Sequence, residues 1–130
     1  MKVTAKVTIN PSKVAELQQI GRQALEMTAQ AVLTDIVASG VVPKDTGELE
    51  RSGFVDTTEL QRDIARIVFD TPYARRLYWH PEYNFRQDKN PNARGKWMEP
   101  YHTEGQKRKW VIETFGHFVR MLMKQKGLMR

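Results

Sequence analysis

The chain has 130 residues, and 21 lysines and arginines against 15 aspartates and glutamates give it a formal net charge of +6. This length corresponds to one domain, and a content of 40% apolar residues can fill a core, which excludes a chain that is disordered throughout. The absence of cysteine excludes disulfides, thiolate metal sites and a cysteine nucleophile.

The excess positive charge lies at the C-terminal end. Residues 1–106 carry 14 basic and 14 acidic side chains, whereas residues 107–130 carry seven basic side chains and the single acid Glu113. The N-terminal residues do not resemble a signal peptide, and no apolar run is long enough to cross a bilayer. We therefore expect no membrane partner.

The first residues predict a strand. Val3, Ala5, Val7 and Ile9 alternate with lysines and threonines, which is the period-two pattern of a strand with one apolar face. We predict this strand over residues 2–9.

A long helix is predicted next. The Asn10 side chain can cap the first turn, and Pro11 at the first helical position loses no hydrogen bond that the helix needs. A stripe that begins with Val14 and Leu17 and recurs at steps of three and four continues to about Ser39, and we expect it to be buried; Gly40 predicts a left-handed cap. The helix would be about 40 Å long, which is long for a domain of this size.

A turn into a short helix is predicted at Asp45, Thr46, Gly47 and Glu48, with Asp45 as the cap and Glu48 bonding back to it. The first three of these residues are also the tripeptide of aspartic proteases. Protease chemistry would need two such aspartates sharing a proton at the ends of buried strands. Because the surrounding pattern is helical, we keep a dimeric aspartic protease only as a remote alternative.

Residues 54–58 and 64–69 predict two strands of a hairpin, and Thr71-Pro72 predicts the start of a short helix that ends near Tyr78.

Residues 80–102 combine three prolines with asparagines and aromatics and lack a regular period, which predicts a long projecting loop. Residues 103–126 predict a basic C-terminal helix whose apolar face is wider than one packing partner requires.

These elements predict a single α+β domain. A small mixed or antiparallel sheet, made of the N-terminal strand and the hairpin, would pack against two long helices. The predicted segments are a strand with a long helix (1–40), a turn with the hairpin and short helix (41–79), the loop (80–102) and the last helix (103–126).

No catalytic or metal-binding pattern is evident. His80, His102 and His117 are too far apart for a local metal motif, and the sequence has no glycine-rich phosphate loop or nucleophile elbow. We therefore predict a protein that is not an enzyme and has no metal and no cofactor.

The loop does support one binding alternative. It interleaves Phe85 and Trp97 with Lys89 and other basic residues, a mixture that grips nucleic acid through stacking and phosphate contacts. The basic last helix could add further phosphate contacts. A nucleic-acid-binding module therefore remains the main alternative.

Four stretches resemble a known family. Residues 70–78 (DTPYARRLY), followed by 83–93 (YNFRQDKNPNA) and 95–97 (GKW), resemble the minor capsid proteins of long-tailed bacteriophages and prophages of Gram-positive hosts. Residues 42–53 (VPKDTGELERSG) resemble the same family and the wider group of phage tail-completion proteins. The resemblance covers about residues 40–115.

The resemblance implies a structural virion protein of the neck, the head–tail connector that joins the DNA-filled head to the tail. It implies tail completion or head closure within a homo-oligomeric ring, such as a hexamer or a dodecamer. The expected partners are an adjacent neck ring, portal or adaptor proteins, tail-tube proteins and, transiently, genomic DNA in the channel. The expected location is the virion, assembled in the cytoplasm of the bacterial host.

Protein interfaces are enriched in aromatic residues and arginine. On this ground we expect Phe85 and Trp97 to anchor the loop on a neighbouring subunit, with Arg75 and Arg76 pairing with acids. The full predicted partner-binding set is Tyr73, Arg75, Arg76, Tyr78, Phe85, Lys89 and Trp97.

Overall fold

The computed structural model describes residues 2–44, 47–83, 85, 87, 89–90 and 92–129. In these residues the helices are α1 (Pro11–Ala38), α2 (Glu48–Arg51), α3 (Ala74–Tyr78) and α4 (Arg108–Gln125), and the strands are β1 (Gly53–Asp56) and β2 (Arg66–Phe69). Leu60–Arg62 and Glu99–Tyr101 form short 3₁₀ helices. The architecture is α+β with two long helices, which confirms the predicted fold class.

Helix α1 begins where the sequence predicts. The Asn10 side chain accepts hydrogen bonds from the backbone N–H groups of Ser12 at 3.0 Å and Lys13 at 3.3 Å, and Pro11 is the first helical residue. At the other end Gly40 adopts a left-handed conformation, with φ of 66°. The 28 residues make a rod about 42 Å long.

Helix α4 packs antiparallel to α1. Leu122, near the end of α4, lies in one cluster with Ile20 and Ala24 of α1. Lys107, which immediately precedes α4, bonds to Asp35 near the end of α1. Because α4 has only 18 residues, the first turns of α1 extend beyond it.

The hairpin forms as predicted and lies against α1. Strands β1 and β2 pair antiparallel, with Phe54 opposite Val68 and Asp56 opposite Arg66. A Cβ added to Gly53 would lie 2.9 Å from Cδ1 of Leu33, so the start of β1 lies directly on α1.

The predicted N-terminal strand is not found. Residues 2–10 form neither strand nor helix, all of them are exposed, and in the described part of the chain the sheet has only two strands. An alternating pattern supplies a strand with an apolar face, but the backbone also needs a neighbouring strand for its hydrogen bonds. Residues 2–10 lie at the N-terminal end of α1, whereas the hairpin packs against Leu33 near the C-terminal end. No strand of the described chain therefore lies beside residues 2–10.

Two clusters make up the core. The larger one joins the end of α1 to α2, α3 and the residues before α4, and its most deeply buried members are Ile36, Val42 and Trp97. The smaller one lies between the middle of α1 and the second half of α4. Together they fix the positions of α3 and the long loop.

Candidate assembly surfaces

The described part of the long loop is attached to the domain. The Asn90 side chain donates hydrogen bonds to the Val42 carbonyl and to Glu50, both at 2.8 Å. The backbone N–H of Arg94 donates to Val41 at 2.9 Å, and that of Lys96 donates to Tyr78 at 2.8 Å. The prediction of a projecting loop is therefore wrong for residues 89–90 and 92–102, because their polar groups bond to α3 and to the residues that follow α1.

Trp97 is a core residue. Its side chain is 1% exposed, and its ring meets those of Phe69 and Tyr78 edge-on, with centroids 5.6 Å and 4.9 Å away. Tyr78 is also buried. A side chain enclosed by its own chain cannot contact a partner, so we withdraw Trp97 and Tyr78 from the predicted partner-binding set. Their aromatic character reflects the packing of the loop on α3 and β2.

Helix α3 and the residue before it carry three more members of the predicted partner-binding set. Tyr73, Arg75 and Arg76 are exposed, and the Tyr73 hydroxyl donates to Glu48 at 3.4 Å. Arg75 and Arg76 line an open depression of about 500 Å³ together with Trp79, which is 58% exposed. We call Tyr73, Arg75, Arg76 and Trp79 the α3 patch. Sequence reasoning missed Trp79, because nothing in the local pattern separates it from the buried Tyr78.

A second group of side chains borders the α3 patch. The rings of His80 and Tyr83 stack in parallel with centroids 4.7 Å apart, and Nδ1 of His80 lies 2.7 Å from Glu82. That hydrogen bond holds the pKa of Glu82 below its ordinary value. Arg76 donates to the Tyr83 hydroxyl at 3.4 Å, so one guanidinium of the patch is already oriented.

Two further predicted residues lie in the loop. Phe85 is half-buried, with its ring centroid 6.4 Å from that of Tyr83, and Lys89 is exposed. The Phe85 ring is tilted by 55° from that of Tyr83, so it lies beside the stacked pair of His80 and Tyr83 without extending the stack.

The turn predicted before α2 is described in part. Asp45 and Thr46 lie outside the described residues. Gly47 caps α2 with φ of 85°, and Glu48 is the first residue of that helix. A helix therefore does begin at this turn, as predicted, but the prediction of Asp45 as its cap is wrong, because the N-cap is Gly47 and Glu48 is then too early in the helix to bond back to a cap at Asp45.

The largest set of exposed apolar side chains lies before residue 18. Val3, Val7 and Ile9 are 85%, 89% and 73% exposed, and Val14 and Leu17 of α1 are exposed as well. We call residues 2–9 the N-terminal arm. The sequence predicts that Val14 and Leu17 lie on the buried stripe of α1, and this is wrong because α4 ends before it can cover them. The one feature of the sequence that could have indicated this exposure is the unusual length of the predicted helix.

The basic C-terminal helix has a partly exposed apolar face. Trp110 and Ile112 remain exposed, and Arg108, Lys109, Arg120 and Lys124 are exposed on the same helix. The predicted wide apolar face is thus covered by α1 on one side only.

Among the described residues, no three histidine, aspartate or glutamate side chains stand close enough together to hold a metal ion. No helix in the described ranges has the length and apolar character needed to cross a membrane. Comparison with known proteins gives no matching family model, no matching curated protein and no matching solved structure.

Proposed function

We propose that this chain is a structural protein of the head–tail connector of a long-tailed bacteriophage, acting in tail completion or head closure as a subunit of a ring. The proposal draws on the resemblance over residues 40–115 and on the surfaces described above. In this role the protein works by binding its neighbours, and its partners are copies of itself and adjacent neck or tail proteins.

The observation that carries the proposal is the apolar projection at the N-terminus. Of the 11 large hydrophobic side chains that are exposed among the described residues, five lie between Val3 and Leu17. Soluble monomers seldom expose contiguous apolar surface, and larger patches usually mark sites of protein contact. A projection that its own domain leaves uncovered is suited to contact a neighbouring subunit.

A ring needs two different faces that fit each other head to tail. The N-terminal arm supplies one face. Its counterpart on the next copy must be a different surface of the domain. The α3 patch supplies a separate surface suited to an adjacent neck or tail protein, because its exposed aromatics and arginines match the composition of interface centres.

The alternative is a nucleic-acid-binding module built on α4, where Trp110 is exposed among lysines and arginines. The salt dependence of binding distinguishes the two proposed functions. Binding to phosphates weakens steeply as salt rises, whereas an apolar contact between subunits does not.

The test is a complementation experiment in the phage or prophage that encodes the chain. Trp79→Ala removes the most exposed part of the α3 patch, and Thr57→Ala, at an exposed turn of the hairpin, is the matched control. We expect Trp79→Ala to leave the purified protein folded but to accumulate separate heads and tails in electron micrographs. Normal tailed virions with Trp79→Ala, or purified virions that lack the chain, would overturn the proposal.

A further inference from the structure

A groove runs along the open edge of the hairpin. Its volume is about 460 Å³, its floor includes Thr28, Ala29 and Val32 of α1, and its far wall includes Met98 and Val111. The near wall is formed by residues 65–68, whereas no residue of β1, which is described throughout, lines the groove. Successive strand residues point to opposite faces of a sheet. A groove on one face of the sheet would contact only alternate residues of the strand. Because four successive residues, 65–68, line this groove, it runs along the edge of β2.

This edge has the features of a place for a third strand. In the described part of the chain the sheet contains only β1 and β2, so one side of β2 has no strand partner. An unpaired edge presents backbone N–H and C=O groups that a further strand can satisfy, and a lone two-stranded sheet is marginally stable. The floor side chains are already largely buried, so the groove is shallow and suits small or β-branched side chains.

The N-terminal arm matches that requirement. It has no regular secondary structure, and it presents Val3, Ala5, Val7 and Ile9 on one side and lysines and threonines on the other. Added beside β2, it would place the small apolar side chains over α1 and the polar ones in solvent. Its backbone would gain the hydrogen bonds that a strand needs.

The arm cannot fill the groove of its own chain. The groove extends along α1 from Leu25 to Ile36, and Ile36 lies about 39 Å along the helix from Asn10. The arm, fully extended from Asn10 to Lys2, spans about 26 Å. Folded back along α1, it would reach only to about Met27, so its tip alone would enter the groove.

We infer that the N-terminal arm of one copy adds a third strand to the β2 edge of a neighbouring copy. This inference rests on the proposed function for its expectation of a ring, and it names the contact that links successive subunits. Because each copy offers one arm and one groove, the exchange continues from copy to copy until the rotation closes.

The charges give the inference a distinctive salt dependence. The arm carries Lys2 and Lys6, and Arg66 and Arg108 line the groove; Arg66 is paired with Glu59, so the contact brings like charges together chiefly at Arg108. Rising salt screens this repulsion, and self-association should therefore strengthen. Binding of nucleic acid would respond in the opposite direction.

Cross-linking tests the contact directly, because the natural chain contains no cysteine. Val7→Cys in an untagged chain and Ala65→Cys in a tagged chain are mixed and treated with a short bismaleimide, which tolerates a register difference of one or two residues. We expect a covalent product that contains both chains. Thr34→Cys, which lies on α1 outside the groove, replaces Ala65→Cys in the control mixture and should give no such product.

A second measurement uses neighbouring arm residues on opposite faces. Val7→Asp places a charge on the apolar face, and Thr8→Asp places the same charge on the polar face. Both residues are exposed in the single chain, so neither variant should alter its thermal unfolding. In sedimentation equilibrium we expect Val7→Asp to weaken self-association at least tenfold and Thr8→Asp to change it less than threefold.

Three results would overturn the inference: a chain that stays monomeric at every concentration, equal effects of Val7→Asp and Thr8→Asp, or a doubly substituted Val7→Cys/Ala65→Cys chain that cross-links only within itself. Failure of the proposed function would look different. Cross-linking between chains that stops at a closed dimer, or arm exchange in a protein missing from virions, would support the arm contact and contradict the neck ring.

Discussion

The hydroxyl of Tyr101 donates a hydrogen bond of 2.5 Å to Oδ2 of Asp35. The Lys107 ammonium also reaches this oxygen, at 2.7 Å, and bonds to the Ser39 hydroxyl at 3.1 Å. The group therefore ties the end of α1 to the 3₁₀ helix before α4 and to the start of α4. Burial and the neighbouring carboxylate raise the pKa of Tyr101, so its hydroxyl stays protonated and continues to donate.

Removing the Asp35 charge should loosen this connection. We expect Asp35→Asn to lower the free energy of unfolding by about 1–2 kcal/mol, less than a buried hydrogen bond to a charged group usually contributes, because the Lys107 and Asp35 side chains are partly exposed. Tyr101→Phe removes one donor and should cost about 1 kcal/mol. Urea unfolding of both variants measures this, and an unchanged midpoint for Asp35→Asn would contradict it.

The same carboxylate should make stability depend on acid. Burial alone would raise the pKa of Asp35, but the hydrogen bonds from Lys107 and Tyr101 and the Lys107 charge outweigh it, and the pKa is lowered. A lowered pKa in the folded state gives stability that is complete above the unfolded value of about 3.9 and is lost as the pH falls through the folded value. The stability difference between the natural chain and Asp35→Asn should therefore shrink below about pH 4. Urea midpoints at pH 7 and pH 3 test this, and a constant difference would refute it.

Trp97 should behave as a core residue. Truncating a buried tryptophan to alanine typically costs about 3–5 kcal/mol, so Trp97→Ala should unfold at much lower urea concentration than the natural chain. Trp97→Phe keeps an aromatic ring between Phe69 and Tyr78 and should cost less. A Trp97→Ala chain of unchanged stability that still failed to join tails would restore the original prediction of an interface anchor.

Gly47 should resist substitution by a β-branched residue. Its φ of 85° lies in the left-handed region, which costs L-residues about 1–2 kcal/mol. A Cβ there would also lie 2.6 Å from Nη1 of Arg51, although that side chain can move. We expect Gly47→Val to lower the free energy of unfolding by at least this amount, and Gly47→Asn, which tolerates the conformation better, to lower it less. Equal stability of the two variants would contradict the explanation.

Substitution of Gly21, in contrast to that of Gly47, should stabilise the protein. It lies inside α1, and a Cβ at this position would meet nothing within 4 Å. Because glycine in a helix interior is less favourable than alanine, Gly21→Ala should raise the free energy of unfolding by about 0.5–1 kcal/mol. Thermal or urea unfolding measures the gain, and a loss of stability would contradict the open space found around Gly21.

Local physical chemistry made several elements predictable. The cap of α1 at Asn10 depends on one side chain and the next three residues, and the hairpin depends on the alternation within two short runs. In both cases the residues that decide the structure are neighbours in the sequence, and the prediction agrees with the structure. The α+β class follows from these elements.

The candidate assembly surfaces were less predictable, because they depend on which side chains the rest of the folded chain covers. The adjacent aromatics Tyr78 and Trp79 have opposite fates, one buried and one exposed, since α3 turns them to different sides. Trp97 has the composition of an interface residue, yet its own chain encloses it. Only the packing of the loop on α3 and β2 decides between these outcomes.

In this chain, local residue patterns specify where helices and strands can begin, where charge accumulates and which segments carry an apolar face. Packing of the folded chain settles which of those faces are covered. Val3, Val7 and Ile9 make the difference clear, because their alternation specifies a strand while the length of α1 carries them away from the hairpin. A strand is completed by a neighbour, and the position of that neighbour is a property of the folded chain and its assembly rather than of local sequence.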